Sequence, residues 1–73
     1  MPYLYTEYRG EEARREATQK PPQGPGFSEK EIHNIERLEV WASSFTDPGE
    51  DYTNWKLFDA QGRLISERRM RGY

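Results

Sequence analysis

Residues 57–65, with the sequence LFDAQGRLI, predict a β-hairpin and the register of its two strands. Gly62 suits the left-handed position of a three-residue hairpin loop, because glycine has no Cβ to oppose that conformation. With this loop, Asp59 lies opposite Arg63, and the apolar residues pair as Leu57 with Ile65 and Phe58 with Leu64. Apolar side chains then meet on both faces of the strand pair, as a correct register requires.

A second turn is indicated upstream, at residues 47–50 (DPGE), where Pro48 has its preferred φ and glycine follows. This turn pairs Phe45 with Tyr52, Ala42 with Trp55 and Val40 with Leu57. Three strands, at residues 37–45, 52–59 and 63–70, are therefore expected to form an antiparallel meander. A helix over residues 36–45 stays open as an alternative, because several apolar residues there also fit one helical stripe: Ile32, Ile35, Leu38, Ala42 and Phe45.

A helix start is indicated just before the first strand. Ser28 is a favourable N-cap, and Glu31 stands three residues later to complete a capping box. Phe27 and Ile32 occupy the two positions of a hydrophobic staple. The sequence therefore predicts an α+β fold, a three-stranded antiparallel meander with one short N-terminal helix.

Residues 1–26 are expected to form a flexible, largely disordered arm and linker that precedes a small α+β binding domain at residues 27–73. Prolines and glycines in residues 20–26 (KPPQGPG) interrupt both helix and sheet. Residues 10–19 favour a helix, but Ala13 and Ala17 are the only apolar side chains there, so the helix is marginal in water. The apolar residues of the arm, which we expect to order on binding, are Tyr3, Leu4, Tyr5 and Tyr8.

Composition limits the chain to one small domain. It has 73 residues, 33% of them charged, with no cysteine and a formal net charge of -2. A domain of this size without disulfides is marginally stable, and the lack of cysteine fits a reducing compartment. No apolar run is long enough to span a membrane. We therefore expect a cytoplasmic monomer that does not contact membranes.

Residues suited to catalysis or metal binding are few. His33 is the only histidine, and without cysteine it makes a transition-metal site improbable. The candidate carboxylates fall in predicted turns, where such side chains bond local amides: Asp47, Glu50, Asp51 and Asp59. The sequence therefore predicts a non-enzymatic protein without a cofactor.

The predicted sheet has two apolar faces but only one helix to cover them. The first face carries Leu38, Val40, Ala42, Trp55, Leu57 and Ile65, and Ile32 and Ile35 of the helix can cover it. The second face carries Trp41, Phe45, Tyr52, Phe58 and Leu64, with Glu39, Lys56 and Arg68 beside them. Aromatic side chains flanked by charge are typical of protein interface centres. We therefore predict that Trp41, Phe45, Tyr52 and Phe58 bind a partner.

The C-terminal tail is basic. Residues 62–73 carry a net charge of +3, whereas residues 27–61 carry -5. Three interpretations are open for Arg68, Arg69 and Arg71: a solvated edge strand, pairing with acidic residues of a protein partner, or contact with single-stranded nucleic acid in which Met70 and Tyr73 stack on bases. We predict that these three arginines bind acidic residues of the partner, beside the aromatic residues. The acidic middle of the chain argues against binding to a nucleic-acid duplex.

In its layout the chain resembles small phage-encoded regulators that bind host RNA polymerase, of the kind found in lytic Xanthomonas phages. The likeness rests on total length, the segment PPQGPG at residues 21–26 and the ending RRMR at residues 68–71. It implies a protein that binds the polymerase of the host, inhibits transcription initiation and has antitermination activity. We accordingly expect a protein-binding regulator with a larger protein as its partner, and a single-stranded nucleic-acid-binding domain as the alternative.

Overall fold

The computed structural model of the chain describes residues 3–21, 24–44 and 51–72. Within these ranges the elements are β1 (Tyr3–Arg9), α1 (Gly10–Thr18), α2 (Glu29–His33), β2 (Arg37–Ser44), β3 (Asp51–Phe58) and β4 (Leu64–Gly72). The strands form one antiparallel sheet in the order β1-β2-β3-β4. The α+β class and the strand at residues 37–44 are confirmed, so the helical alternative for residues 36–45 is wrong.

The chain has a fourth strand and a second helix where the sequence predicted a flexible arm. β1 pairs with β2 along its whole length, from Tyr3 opposite Ser43 to Arg9 opposite Arg37. Ala13 and Ala17 of α1 are fully buried in one cluster with Leu38 and Leu57. Two alanines alone offer too small an apolar surface to hold an isolated helix. Because these side chains are small and one turn apart, α1 can approach the sheet closely, and tertiary packing supplies the missing stability.

The segment predicted as a linker folds back on the end of α1. The backbone N–H of Gly24 donates to Lys20 O at 3.0 Å, and that of Gly26 donates to Gln19 O at 3.1 Å. Gly24 and Pro25 are buried, and Gly26 has a left-handed φ of 71°. The glycines that suggested flexibility are instead required by a close turn. This turn places Phe27 in the core, where its side chain is 6% exposed.

The predicted start of α2 is confirmed. The backbone N–H of Ser28 donates to Glu31 Oε1 at 2.7 Å, and the N–H of Glu31 donates to Ser28 Oγ at 3.3 Å, which completes the capping box. Phe27 lies in the buried cluster, and Ile32 packs against that cluster. Both staple residues therefore contribute to the same core.

The pairing of β2 with β3 differs from the predicted register by two residues. Val40 lies opposite Trp55, and Leu38 lies opposite Leu57. A shift of two residues keeps every side chain on its predicted face, because side chains alternate with a period of two. The composition of each face of β2 and β3 was therefore predicted correctly although the register was not. The turn predicted at residues 47–50 lies outside the described residues.

The hairpin between β3 and β4 contains a β-bulge that the sequence did not reveal. Gly62 has a φ of 81° and Phe58 lies opposite Leu64, as predicted. Leu57, however, lies opposite Ser66, so Ile65 is the extra residue. One extra residue reverses the face of everything that follows it in the strand. The side chains of β4 beyond Ile65 therefore face opposite to the prediction.

We predict that Gly24→Ala destabilises the protein by about 2–3 kcal/mol, because a Cβ there would collide with Gln19 and lie 2.6 Å from its carbonyl oxygen. Gly10→Ala is the matched control. Gly10 has a positive φ but no atom within 4 Å of an added Cβ, so it should lose only about 1 kcal/mol from backbone strain. Urea denaturation of both variants measures the difference. Equal stability of Gly24→Ala and the wild type would show that residues 19–26 do not form this turn.

Candidate protein-binding face

Both helices lie on one face of the sheet. The alanines of α1 pack on Leu38 and Leu57, and Glu31 of α2 contacts Ser66 and Arg68. None of the described helices covers the opposite face, which we call the open face. Its described side chains are Tyr5, Glu7 and Arg9 of β1, Arg37, Glu39 and Trp41 of β2, Tyr52, Asn54, Lys56 and Phe58 of β3, and Leu64, Glu67 and Arg69 of β4.

An aromatic pair lies on the open face where β1 meets β2. The rings of Tyr5 and Trp41 are 4.4 Å apart between centroids and inclined at 50°. Trp41 is partly buried and donates from Nε1 to Glu39 Oε1 at 3.1 Å, whereas Tyr5 remains 44% exposed. The ammonium of Lys56 lies 6.0 Å from the centroid of the Trp41 ring. These contacts hold the two rings in position and leave part of their surface available to a partner.

The hydroxyl of Tyr5 stays protonated at neutral pH. Desolvation raises the pKa of Tyr5 to about 12, and the hydrogen bond that Tyr5 donates to Glu7 Oε1 at 2.9 Å adds to the shift. The negative charges of Glu39 and Glu7 act in the same direction. Tyr5 therefore offers a neutral, amphipathic ring at the edge of the face.

The carboxylates of the open face all have partners within the face. Glu7 pairs with Arg9, Glu39 pairs with Arg37 at 3.3 Å, and Glu67 accepts from Asn54 Nδ2 at 2.9 Å. By contrast, Lys56 and Arg69 form no ion pair with any described residue. The acidic groups are thus engaged, and two cations on the face remain available, Lys56 near the Trp41 ring and Arg69 on β4.

Phe58 is a less accessible anchor than the sequence suggested. The guanidinium of Arg37 lies over its ring, with Cζ 4.1 Å from the centroid. Arg37 also reaches Glu39, while its buried Nε has no hydrogen-bond partner in the described part of the chain. Leu64, opposite Phe58, is 50% exposed. The apolar surface at this end of the face therefore comes more from Leu64 than from Phe58.

Arg68, predicted beside the aromatic residues, lies on the helix-covered face because of the bulge at Ile65. It pairs with Trp55 across the sheet, and its Nη2 lies 2.9 Å and 3.0 Å from the two carboxylate oxygens of Glu31. Its guanidinium also lies over the ring of Phe27, 4.9 Å from the centroid. Arg68 therefore ties α2 to β4 and lies on the face opposite Trp41, Tyr52 and Phe58.

Glu31 is held in its charged form by this arrangement. Ser66 Oγ donates to it at 2.5 Å, the backbone N–H of Ser28 donates at 2.7 Å, and Arg68 adds its charge-assisted hydrogen bonds. Together they lower the pKa of Glu31 to about 2, against the opposing effect of desolvation. A single carboxylate thus caps α2 and fastens that helix to the last strand.

The other predicted site residues are not all brought together. Tyr52 lies on the open face, and Arg71 takes the strand position opposite it; the Arg71 side chain lies outside the described residues. Arg69 lies opposite Asn54, and Asn54 in turn lies opposite Trp41. Phe45 and Tyr73 also lie outside the described residues. Trp41, Tyr52, Phe58 and Arg69 therefore share one face, and Arg68 does not.

Tyr5 belongs to the site although the sequence did not predict it there. A signal was present, because residues 3–9 (YLYTEYR) have apolar or aromatic residues at Leu4 and Tyr8 in one phase and at Tyr3 and Tyr5 in the other. Because both phases carry apolar or aromatic residues, the pattern favours a strand with an apolar surface on each face. The proline- and glycine-rich segment that follows outweighed this signal and led to the prediction of an arm.

The described residues contain no group of three or more histidine, aspartate or glutamate side chains that could hold a metal ion. No helix in residues 3–21, 24–44 or 51–72 is long and apolar enough to cross a membrane. Comparison with known proteins returned no match to a protein family, a curated protein or a solved structure. The resemblance to phage regulators of RNA polymerase therefore stays a prediction.

We predict that Glu31→Gln lowers stability by about 2 kcal/mol at pH 7, after allowance for solvent screening at Arg68. Because the folded-state pKa of Glu31 is depressed from 4.5 to about 2, its stabilisation is present above pH 4.5 and is lost as the pH falls toward 2. The difference between wild type and Glu31→Gln should therefore shrink over that range. Urea denaturation at several pH values measures it.

Glu29→Gln is the matched control, because Glu29 lies in the same first turn of α2 but is exposed. Glu29→Gln should lower the free energy of unfolding by only about 0.3–1 kcal/mol, the interaction of one charge with the helix dipole. Equal losses from the two substitutions at pH 7 would contradict the role of Glu31 as a fastener between α2 and β4.

Proposed function

We propose that this chain is a non-enzymatic protein-binding module that docks on a larger protein through its open face. The observation that carries the proposal is the Tyr5–Trp41 pair, which lies on a sheet face that no described helix covers. Aromatic side chains are enriched in interface centres because they bury a large area at a low cost in conformational entropy. The hydrogen bonds to Glu7 and Glu39 orient both rings before a partner arrives.

The charges beside this pair favour an acidic partner. Lys56 lies near the Trp41 ring and Arg69 lies two strands away on the same face, whereas Glu7, Glu39 and Glu67 are each engaged by a neighbour on the face. An approaching carboxylate would pair with a free cation without displacing an existing ion pair. Such complementarity raises the rate of association and fixes the orientation of the complex.

The partner we propose is the RNA polymerase of a bacterial host, and the support for it is the resemblance in layout to phage regulators. Docking of a small rigid domain acts sterically: it occupies a surface that an initiation factor needs, or it holds a mobile part of the enzyme in one state. Inhibition of initiation and antitermination are both effects of this kind. The module itself needs no catalytic group for either.

The alternative is binding of single-stranded nucleic acid. Arg69 and the strand position of Arg71 lie along β4, on the same face as the tilted rings of Tyr5 and Trp41, on which bases could stack. The basic tail that suggests this role is partly engaged, since Arg68 binds Glu31. This engagement of Arg68 favours a protein partner.

We predict that Trp41→Ala weakens binding to a Xanthomonas RNA polymerase holoenzyme by about 30-fold, the effect of a hot-spot aromatic residue. The control is His33→Ala, which removes an exposed ring from α2 on the helix-covered side of the sheet. Fluorescence anisotropy of labelled protein measures both affinities, and circular dichroism confirms the fold. Unchanged affinity of Trp41→Ala would contradict docking through the open face.

We further predict that Lys56→Glu weakens the same complex by about tenfold, because it replaces an attractive charge with a repulsive one. Lys30→Glu makes the same change on the exposed surface of α2 and should have little effect. A fluorescein-labelled oligothymidine strand tests the alternative. Tight binding to that strand, steeply weakened by salt and accompanied by no binding to the polymerase, would replace our proposal with the nucleic-acid function.

A further inference from the structure

The two edges of the sheet are protected to different degrees. β4 carries consecutive charges at Glu67, Arg68 and Arg69 and begins with a bulge, and both features discourage pairing with another strand. β1 has no charged residue before Glu7, and none of the described elements pairs with its outer edge. Leu4 of β1 is 68% exposed, the largest value for a large hydrophobic residue in the part of the chain that the structure describes. The edge of β1 is therefore the one that is open to another strand.

The backbone groups that this edge presents can be deduced from one hydrogen bond. Gly10 N donates to Glu36 O at 2.9 Å, so the peptide between Arg9 and Gly10 turns its N–H toward β2 and its carbonyl outward. Arg9 has extended dihedral angles, and the direction alternates along an extended strand. The outward N–H and C=O groups therefore belong to Tyr3, Tyr5, Glu7 and Arg9. They are satisfied by no other described strand.

We infer that this edge pairs with the same edge of a second copy of the chain, in an antiparallel register centred on Thr6. That register brings the outward backbone groups of Tyr5 opposite those of the second copy's Glu7, so hydrogen-bonding residues meet. It also places Leu4 opposite Tyr8 on the helix side. Every residue of the seven-residue strand β1 then has a partner.

The sequence of β1 is self-complementary in this register. Glu7 faces a tyrosine, and Arg9 faces Tyr3, so no like charges are directly opposed. Moving the centre to Glu7 would oppose two carboxylates, which is destabilising across a strand pair. Moving it to Tyr5 would leave Tyr8 and Arg9 without a described residue opposite them. The arrangement of charge and apolar residues thus selects one register and a two-fold symmetric dimer.

The dimer goes beyond the docking function and does not depend on it. It joins two four-stranded sheets edge to edge, and the open faces of the two copies lie side by side. The aromatic pair of each copy stays on its own face, because β1 contributes only its outer edge. A regulator built this way would present two docking faces to its target.

Thr6 provides a direct test, because it lies on the two-fold axis and is exposed in the single chain. Sedimentation equilibrium of the wild type should show a mass that rises from one to two copies with concentration. Thr6→Lys and Thr6→Glu should each remain monomeric, because two like charges would meet on the axis. An equimolar mixture of the two variants should form a dimer again.

Gln61→Lys and Gln61→Glu are the controls, since they make the same charge changes in the exposed hairpin loop and should dimerise as the wild type does. Circular dichroism checks that each variant folds. A wild type that stays monomeric up to its solubility limit would overturn the proposal. Dimerisation of Thr6→Lys alone, or no dimer in the mixture of opposite charges, would overturn the pairing centred on Thr6.

Discussion

The packing of α1 on Leu38 and Leu57 determines which face of the sheet is left open. These two leucines lie opposite each other on the central strands, and both are completely buried. In so small a domain they are the only large side chains among the described residues to be fully enclosed. Because Ala13 and Ala17 cover them closely, α1 lies on that side, and the contacts of Glu31 with Ser66 and Arg68 hold α2 on the same side. Exposure of the opposite face is a consequence of covering this one.

The β-bulge at Ile65 determines on which face of the sheet each arginine of β4 lies. Arg68 turns toward the helices and fastens α2 through Glu31, while Arg69 turns toward the open face. The same basic tail therefore contributes both to stability and to the charge of the proposed interface. A single inserted residue produces this division, since it reverses the alternation of every side chain that follows.

Local rules predicted the parts of the fold that depend on neighbours in sequence. The capping box at Ser28, the left-handed Gly62 and the pairing of Phe58 with Leu64 all follow from short-range geometry. The errors concern contacts between distant segments. Residues 3–18 alone do not show that β1 pairs with β2. They also do not show that Ala13 and Ala17 pack on Leu38 and Leu57.

The candidate site shows the same limit. Trp41 and Phe58 were placed on the correct face because alternation survives a register error of two residues. Arg68 was placed on the wrong face because alternation does not survive a bulge; on its actual face Arg68 contacts Glu31 and Phe27, which are distant in sequence. Tyr5 was missed because its partner across the strands, Trp41, lies 36 residues further along the chain.

The two tryptophans offer the most direct test of docking through the open face, because Trp41 lies on that face and Trp55 on the helix-covered face. Hydroxyl-radical footprinting with mass spectrometry measures how fast each ring is oxidised, with and without bound RNA polymerase. We predict that binding protects Trp41 and Tyr5 and leaves the rate at Trp55 unchanged. Protection of Trp55 or of the helices, with Trp41 still reactive in the complex, would contradict an interface on the open face.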